Sequence, residues 1–455
     1  MGMKKGSDEG KIGIGKLLLW QSRMVSTTVA FLTMTFLMLY CTDTLKIPAA
    51  AVSGILVGSK ILDGFTDMFA GFIVDKTKTK WGKARPYEVF IVLMWFFTWL
   101  LFSCPEFLST TLKCVWIFVM YVMVNCICYT FLNANNTPYI VRAFKDNQIV
   151  KLTSFGSVIT MLAGLIFNIL FPVVMSKVAI NASGWSRLIL MMAIPLAAIG
   201  ILRMLFIEEK YDVDSVAPNK NQISIKDSLN VFKTNKYIIL MAGVNLIFNF
   251  VSGMGIAPYY YKYIVGNTGL MGLASAAQIL AIPLAFIFPS LIKRFSTAKL
   301  MVVGYFVSAT GFLLNYFAYD NVPLLMIAAI LTGGGAIPST MLVGLIVIDC
   351  ADYNEWRGLH RMEGTMSSIV GLGQKIGTAL GAGALGVFLQ ASGFTGEAST
   401  MPSTAYSMIR LLMSFIPMGL YILTGLSMTA YKLDKIMPQI KSEIEEKRRE
   451  ATVSN

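Results

Sequence analysis

The sequence predicts an all-α membrane protein of twelve spanning helices in two sets of six, and three observations predict it. Of its 455 residues, 55% are hydrophobic and only 14% charged, with mean hydropathy +0.65, whereas soluble domains carry roughly a quarter charged residues. The apolar residues gather into about twelve stretches, each near the ~20 residues that cross a hydrocarbon core. The basic residues are unevenly shared between alternate loops. With the N-terminus inside, most of the 38 Lys and Arg lie in the two tails and one alternate set of loops. Lys46, Lys113, Lys177, Arg187 and Lys262 fall on the other side, and Arg23, Lys60, Arg203, Lys375 and Arg410 fall within spans. That is the positive-inside bias. It predicts a multi-pass membrane protein with an even number of spans and both termini cytoplasmic. The net charge of +13 then faces the lipid bilayer, with no nucleic acid as partner.

Residues 1–16 form a polar, cytoplasmic N-terminal tail. The apolar run that follows is too long for the core of a cleavable signal peptide. The N-terminal half, 17–207, carries helices predicted at 17–40, 47–74, 87–104, 114–139, 152–176 and 186–207. A polar cytoplasmic loop, 208–236, contains Pro218, Asn219, Lys220 and Asn221. Its amphipathic stretch from Ile223 to Phe232 predicts a short helix on the membrane surface. The C-terminal half, 237–431, carries helices predicted at 237–261, 268–292, 300–319, 322–349, 366–391 and 404–430, and 432–455 is a cytoplasmic tail. Two six-helix halves joined by a cytoplasmic loop resemble the plan of major facilitator transporters, whose substrates bind between the halves. Gly333, Gly334, Gly335 and Pro338 predict an interruption of the tenth span, and Gly371, Gly373, Gly377, Gly381 and Gly383 stud the eleventh, where small residues admit a close neighbour.

The second span is the informative one. Lys60, Asp63 and Asp67 are three and four residues apart, which puts them on one helix face. Ions at this depth are costly and mark pathways or sites. Two carboxylates with the Thr66 hydroxyl are oxygen ligands suited to a hard cation; the carboxylates can instead share one proton, or an aspartate can simply pair with Lys60. The following loop, Asp75 to Pro86, is rich in lysine and is a candidate gate as well as an ordinary cytoplasmic loop. In the fourth span Tyr129, Thr130, Asn133, Asn135, Asn136, Thr137 and Tyr139 set amides and hydroxyls beside aromatics. That mixture suits a sugar, with its hydroxyl edge and apolar ring face, or hydrogen bonding between helices. Lys375, after Gln374, is a lone ammonium in the eleventh span and needs a partner, for which Asp63 and Asp67 are the candidates. Asp349, Asp352, Glu355, Arg361 and Glu363 bring mixed charges to a cytoplasmic helix end.

Other chemistries find little support. The six cysteines show no metal spacing. His360 is the single histidine, which argues against a histidine relay, and no phosphate-binding loop appears. An enzyme is not expected, nor a cofactor beyond a coupling ion.

These residues resemble the glycoside–pentoside–hexuronide:cation symporters, the major facilitator group typified by melibiose permease. The resemblance covers about residues 15 to 430 and rests on Asp63 and Asp67 running into Gly71, Ile73 and Val74; on Trp81, Gly82, Lys83 and Pro86; and on Asp352, Tyr353, Glu355, Arg361, Glu363 and Lys375. It implies Asp63, Asp67 and Thr130 as cation ligands for Na⁺, Li⁺ or H⁺, with Thr66 adjoining. It also implies Lys375 between cation and sugar sites, Tyr129 near the sugar, and placement in the cell (inner) membrane. Lys60 joins Lys375 and the cytoplasmic charges as coupling or gating residues. The chain departs from melibiose permease at Thr27, Asn133, Thr137 and Val158, all sugar-recognition positions. The machinery for the cation is kept while the sugar site is rewritten. With Arg23 one turn before Thr27, an anionic sugar such as a hexuronide is the favoured substrate, and neutral pentosides or oligosaccharides also fit. The expected function is a monomeric secondary sugar:cation symporter. The alternatives are an uncoupled uniporter or exchanger of the same fold and, further off, a membrane enzyme or sensor.

Overall fold

A computed structural model of the chain describes residues 12–211, 235–281, 283, 287, 290–292, 294–359, 363–397 and 399–453. The predicted surface helix at 223–232, His360 and Arg361 lie outside these residues. Among the described residues the regular elements are helices, joined by turns and short loops, with one isolated bridge at Thr79 and Gly82. In chain order the helices are α1 (Ile14–Thr44), α2 (Ala49–Lys76), α3 (Phe90–Leu101), α4 (Thr110–Ala143), α5 (Asp146–Val178), α6 (Ala182–Phe206), α7 (Lys236–Ile264), α8 (Gly269–Ala281), α9 (Thr297–Ala318), α10 (Val322–Trp356), α11 (Glu363–Ala391), α12 (Ser403–Met428) and α13 (Leu433–Val453). Nine of the described helices are long and apolar enough to cross a membrane.

Polar residues open several spans as the loops predict. Asn181 accepts the Gly184 N–H at 2.8 Å, Asn235 the Tyr237 N–H at 3.1 Å and Asn321 the Leu324 N–H at 3.1 Å. Each satisfies a helix-end donor that has no partner within its helix. Large apolar side chains such as Phe69, Ile166, Leu170 and Met191 are exposed, as membrane-facing surfaces require.

Two compact units divide the chain. One runs to Lys220 and takes in Phe394–Met401; the other comprises Asn221–Gly393 and Pro402–Asn455. In the first, α1 packs on α5 and α6, and α3 on α6. Its core end gathers Trp20, Ala84, Tyr139, Phe144, Leu152 and Ile207. The short segment from the other end of the sequence is held there by Lys46, whose ammonium donates to Gly396 O at 3.2 Å and pairs with Glu397 at 3.1 Å.

In the second unit α7 packs along α11, and α9 along α10 and α12. A Cβ at Gly373, Gly377 or Gly381 would fall on the carbonyl oxygens of Ala242, Leu246 and Phe250, so backbone meets backbone along the seam. The tenth span is not interrupted: α10 continues through Gly333, Gly334, Gly335 and Pro338. The small residues serve packing instead, since a Cβ at Gly335 would strike Gly304 O and the Ser308 hydroxyl on α9. The C-terminal tail is also more ordered than a tail. Helix α13 lies against α10, with Lys441 to Asp349 at 2.9 Å and Trp356 Nε1 donating to Glu443 at 2.6 Å. Asp434 of α13 caps α9 by accepting the Ala298 N–H at 2.7 Å; burial pushes its carboxyl above the ordinary value, and the hydrogen bonds from Ala298 and Ser296 oppose that.

Candidate cation and sugar sites

The α2 carboxylate at Asp63 is 7% exposed and meets two helices' worth of polar groups. Thr130 on α4 approaches it, Oγ1 to Oδ1 at 3.4 Å, and Lys60 stands 3.8 Å from Oδ2. The Thr66 hydroxyl turns away from the carboxylate and donates to the backbone carbonyl of Asp63 at 3.1 Å. Asp67, one turn along, is half-buried and engaged. The site owes its second wall to an irregular stretch: Met123–Tyr129 of α4 is a π-helix, a wide turn often found at functional positions. There Thr130 Oγ1 also contacts Asn125 O at 3.2 Å, five residues back, and Cys126 Sγ donates to Ser59 O at 3.2 Å. A carboxylate and a backbone carbonyl thus lie 3.4 and 3.2 Å from one buried hydroxyl. Oxygen atoms of these three kinds ligate hard cations, and the carboxylate alone holds a proton. The sequence does not single out Asn125, because it contributes a backbone carbonyl that any residue carries, while its amide donates to Tyr121 O at 3.4 Å.

The sugar candidates of the first unit separate. Asn133 and Thr137 are exposed, Tyr129 is half-buried with its ring 6.1 Å from that of Phe31, and Val158 is exposed. Thr27 is buried and donates to Arg23 O at 2.7 Å. Arg23 is 1% exposed and engaged within the chain. Its Nη1 donates to Leu132 O at 3.0 Å, its Nη2 to Asn136 Oδ1 at 2.6 Å, and its Nε lies 3.5 Å from Glu88. Glu88 also pairs with Arg203 at 3.1 Å and accepts from Asn135 at 3.1 Å, while the Arg203 guanidinium stacks 3.5 Å over Trp20. The expected role of Arg23 as a handle for an anionic sugar therefore has a competitor: a buried carboxylate that already neutralises it.

The lysine-rich loop ends in a backbone nest filled from within the chain. Glu209 accepts the N–H groups of Lys83, Ala84 and Arg85 at 3.0, 2.8 and 2.7 Å. Gly82 has φ +113° and a Cβ there would sit 2.5 Å from Glu209 Cδ, so this position admits only glycine.

In the second unit a cavity of about 560 Å³ opens between α7, α10 and α11, lined by Asn245, Phe248, Asn249, Thr340 and Gln374 among others. Lys375 follows Gln374, is exposed, and has an interaction partner. Asp349 is held by Lys441, while Asp352 is buried and Glu355 half-buried, both engaged. The α11 backbone begins at Glu363, whose side chain is not described.

A family model for MFS/sugar transport proteins matches residues 23–435. An isoprimeverose transporter of Lactiplantibacillus pentosus is 28% identical over 423 residues, covering 91% of this chain and 87% of that protein. A glucuronide carrier protein homolog of Escherichia coli is 24% identical over 424 residues, covering 91% of each. A putative glycoside/cation symporter of the same organism is 25% identical over 419 residues, covering 88% of each. Among solved structures, a nucleoside transporter superposes with TM-score 0.66 at 15% identity, covering 91% of this chain and 99% of that one. A D-xylose-proton symporter superposes at 0.60 and 16%, covering 92% and 95%.

Proposed function

Because the chain belongs to the MFS/sugar transport proteins, in the glycoside–pentoside–hexuronide branch of the major facilitator superfamily, we propose that it is a secondary active symporter. It imports a glycoside, pentoside or hexuronide with Na⁺, Li⁺ or H⁺ by alternating access. It is not an enzyme. The observation that carries this reading is the buried Asp63 carboxylate facing Thr130 beside the π-turn of α4. The cation neutralises Asp63 and draws in the Thr130 hydroxyl and the Asn125 carbonyl; Asp67 supplies a second carboxylate. Tyr129, Asn133 and Thr137 serve the sugar, and Lys60 and Lys375 serve coupling. Coupling is a shared free energy, so sugar and cation raise each other's affinity by the same factor. The protein acts as a monomer in the cell membrane with both termini cytoplasmic.

The test is uptake into proteoliposomes under an imposed Na⁺, Li⁺ or H⁺ gradient. Asp63→Asn abolishes cation-driven accumulation while sugar still equilibrates; undiminished accumulation in that variant sinks the assignment. A second reading, an uncoupled uniporter, is favoured by one observation. Lys60 stands 3.8 Å from Asp63, a built-in countercharge that needs no ion. Uptake that ignores every imposed gradient would establish it instead.

A further inference from the structure

The cavity of the second unit, about 560 Å³, falls within the range of small-molecule sites, roughly 300–1,000 Å³. No charged residue lines it; its polar groups come from Asn245, Asn249, Ser339, Thr340, Ser367 and Gln374. Partners that can only accept fix the direction of its hydrogen bonds. Asn245 Nδ2 donates to Val370 O at 2.9 Å, and Asn249 Nδ2 donates to Asn245 O at 2.8 Å and to Asn245 Oδ1 at 3.1 Å. A backbone carbonyl has no hydrogen to give, so both amide orientations are determined. Both hydrogens of the Asn249 amide are committed one turn back, leaving Oδ1 for an incoming group. The Thr340 hydroxyl donates to Ile337 O at 2.9 Å and likewise retains only lone pairs. At these two positions the wall is uncharged and accepts without donating.

We propose that this cavity is a subsite for the hydroxylated ring of a neutral glycoside, and that it selects against hexuronides. The proposal rests on the transporter reading above. Sugar hydroxyls donate to Asn249 Oδ1 and Thr340 Oγ1, while Phe248 covers the apolar face of the ring. A carboxylate brings only lone pairs to those atoms, and with no cation in the lining the Ser339, Ser367 and Gln374 donors replace only part of the hydration it loses. Lys375 lies outside the lining and is engaged. The guanidiniums of Arg23 and Arg203 are committed to Glu88.

The test uses matched sugars that differ only in CH₂OH against COO⁻: nitrophenyl glucoside against glucuronide, and galactoside against galacturonide. Binding to the full-length protein in nanodiscs and accumulation in proteoliposomes are measured with Na⁺, Li⁺ or H⁺ supplied. At least one neutral sugar should bind about tenfold or more tightly than its uronide. Asn249→Leu should remove that preference by weakening the neutral sugar alone. Thr340→Val should act in the same direction by a smaller factor. Cation affinity without sugar and the melting temperature should not move. Equal or tighter binding of a uronide overturns the proposal, as does unchanged neutral-sugar affinity in both variants. Cation-driven accumulation of a uronide leaves the symporter standing and removes only the subsite; no accumulation of any probe removes both.

Discussion

Two buried charge clusters in the first unit violate the same rule in opposite ways. Around Glu88, two guanidiniums and the Asn135 amide meet one carboxylate, Asn136 Oδ1 and Leu132 O accept from the guanidiniums, and Arg23, Glu88 and Arg203 are each at most 1% exposed. Around Asp63 the carboxylate has a hydroxyl at 3.4 Å and an ammonium at 3.8 Å, with the Lys60 side chain 25% exposed. The first cluster balances its charges within the chain and holds α1, α4 and α6 to the turn before α3, although Arg23 Nε, Glu88 Oε2, Arg203 Nε and Arg203 Nη2 make ion pairs or packing contacts rather than hydrogen bonds. The second is met at longer range, by a hydroxyl and a partly exposed ammonium. Burial alone therefore does not mark a transport residue; the two clusters differ in what meets the charge, two buried guanidiniums in one and a hydroxyl with a partly exposed ammonium in the other.

The comparison predicts that stability and activity separate cleanly. The largest effect belongs to Glu88→Gln, which strands two buried guanidiniums and should remove about 3–5 kcal/mol of stability, seen as a much lower melting temperature in detergent. Replacing Arg23, Glu88 and Arg203 together by apolar residues of similar volume should restore most of that loss. If it does not, the cluster has a role beyond mutual neutralisation. Asp63→Asn should do the reverse, melting near the parent temperature while losing cation-driven accumulation. Thr130→Val should keep the fold and weaken cation binding about tenfold, read by titrating Na⁺, Li⁺ or H⁺ against sugar binding. The smallest effect is expected at the half-exposed Lys46–Glu397 pair, where Glu397→Gln should change the melting point by no more than an exposed ion pair's ~0–1 kcal/mol.

The sequence discloses Asp63 more readily than Glu88 for a physical reason. A charge in the middle of an apolar run stands out by itself, and the helical spacing to Lys60 and Asp67 is local. Glu88 lies near the start of a predicted span and looks like a loop residue, because its partners are Arg23 and Arg203, far away in the chain. Arg23 misleads in the same way: alone it suggests an anion handle, and only its packing reveals a carboxylate of the chain. The spans themselves are legible because hydropathy is additive along the helix. The π-turn at Met123–Tyr129 is not, since it adds one residue to a turn without changing composition. Pro338 was expected to interrupt α10, but helix continuity depends on the neighbouring α9, which accepts the glycine face closely.

The glycine seam of α7 and α11 has a mechanical corollary. With carbonyls seated where side chains would otherwise be, these two helices cannot slide past one another by a fraction of a turn without driving Cα atoms into oxygen. Neighbours packed in this way respond as one rigid plank rather than as a shear plane. Asn245 and Asn249 on one helix and Gln374 on the other are thereby kept at fixed separation. A wall held in this way would act as a ruler for the glycoside proposed above, and motion in a transport cycle would fall on other seams.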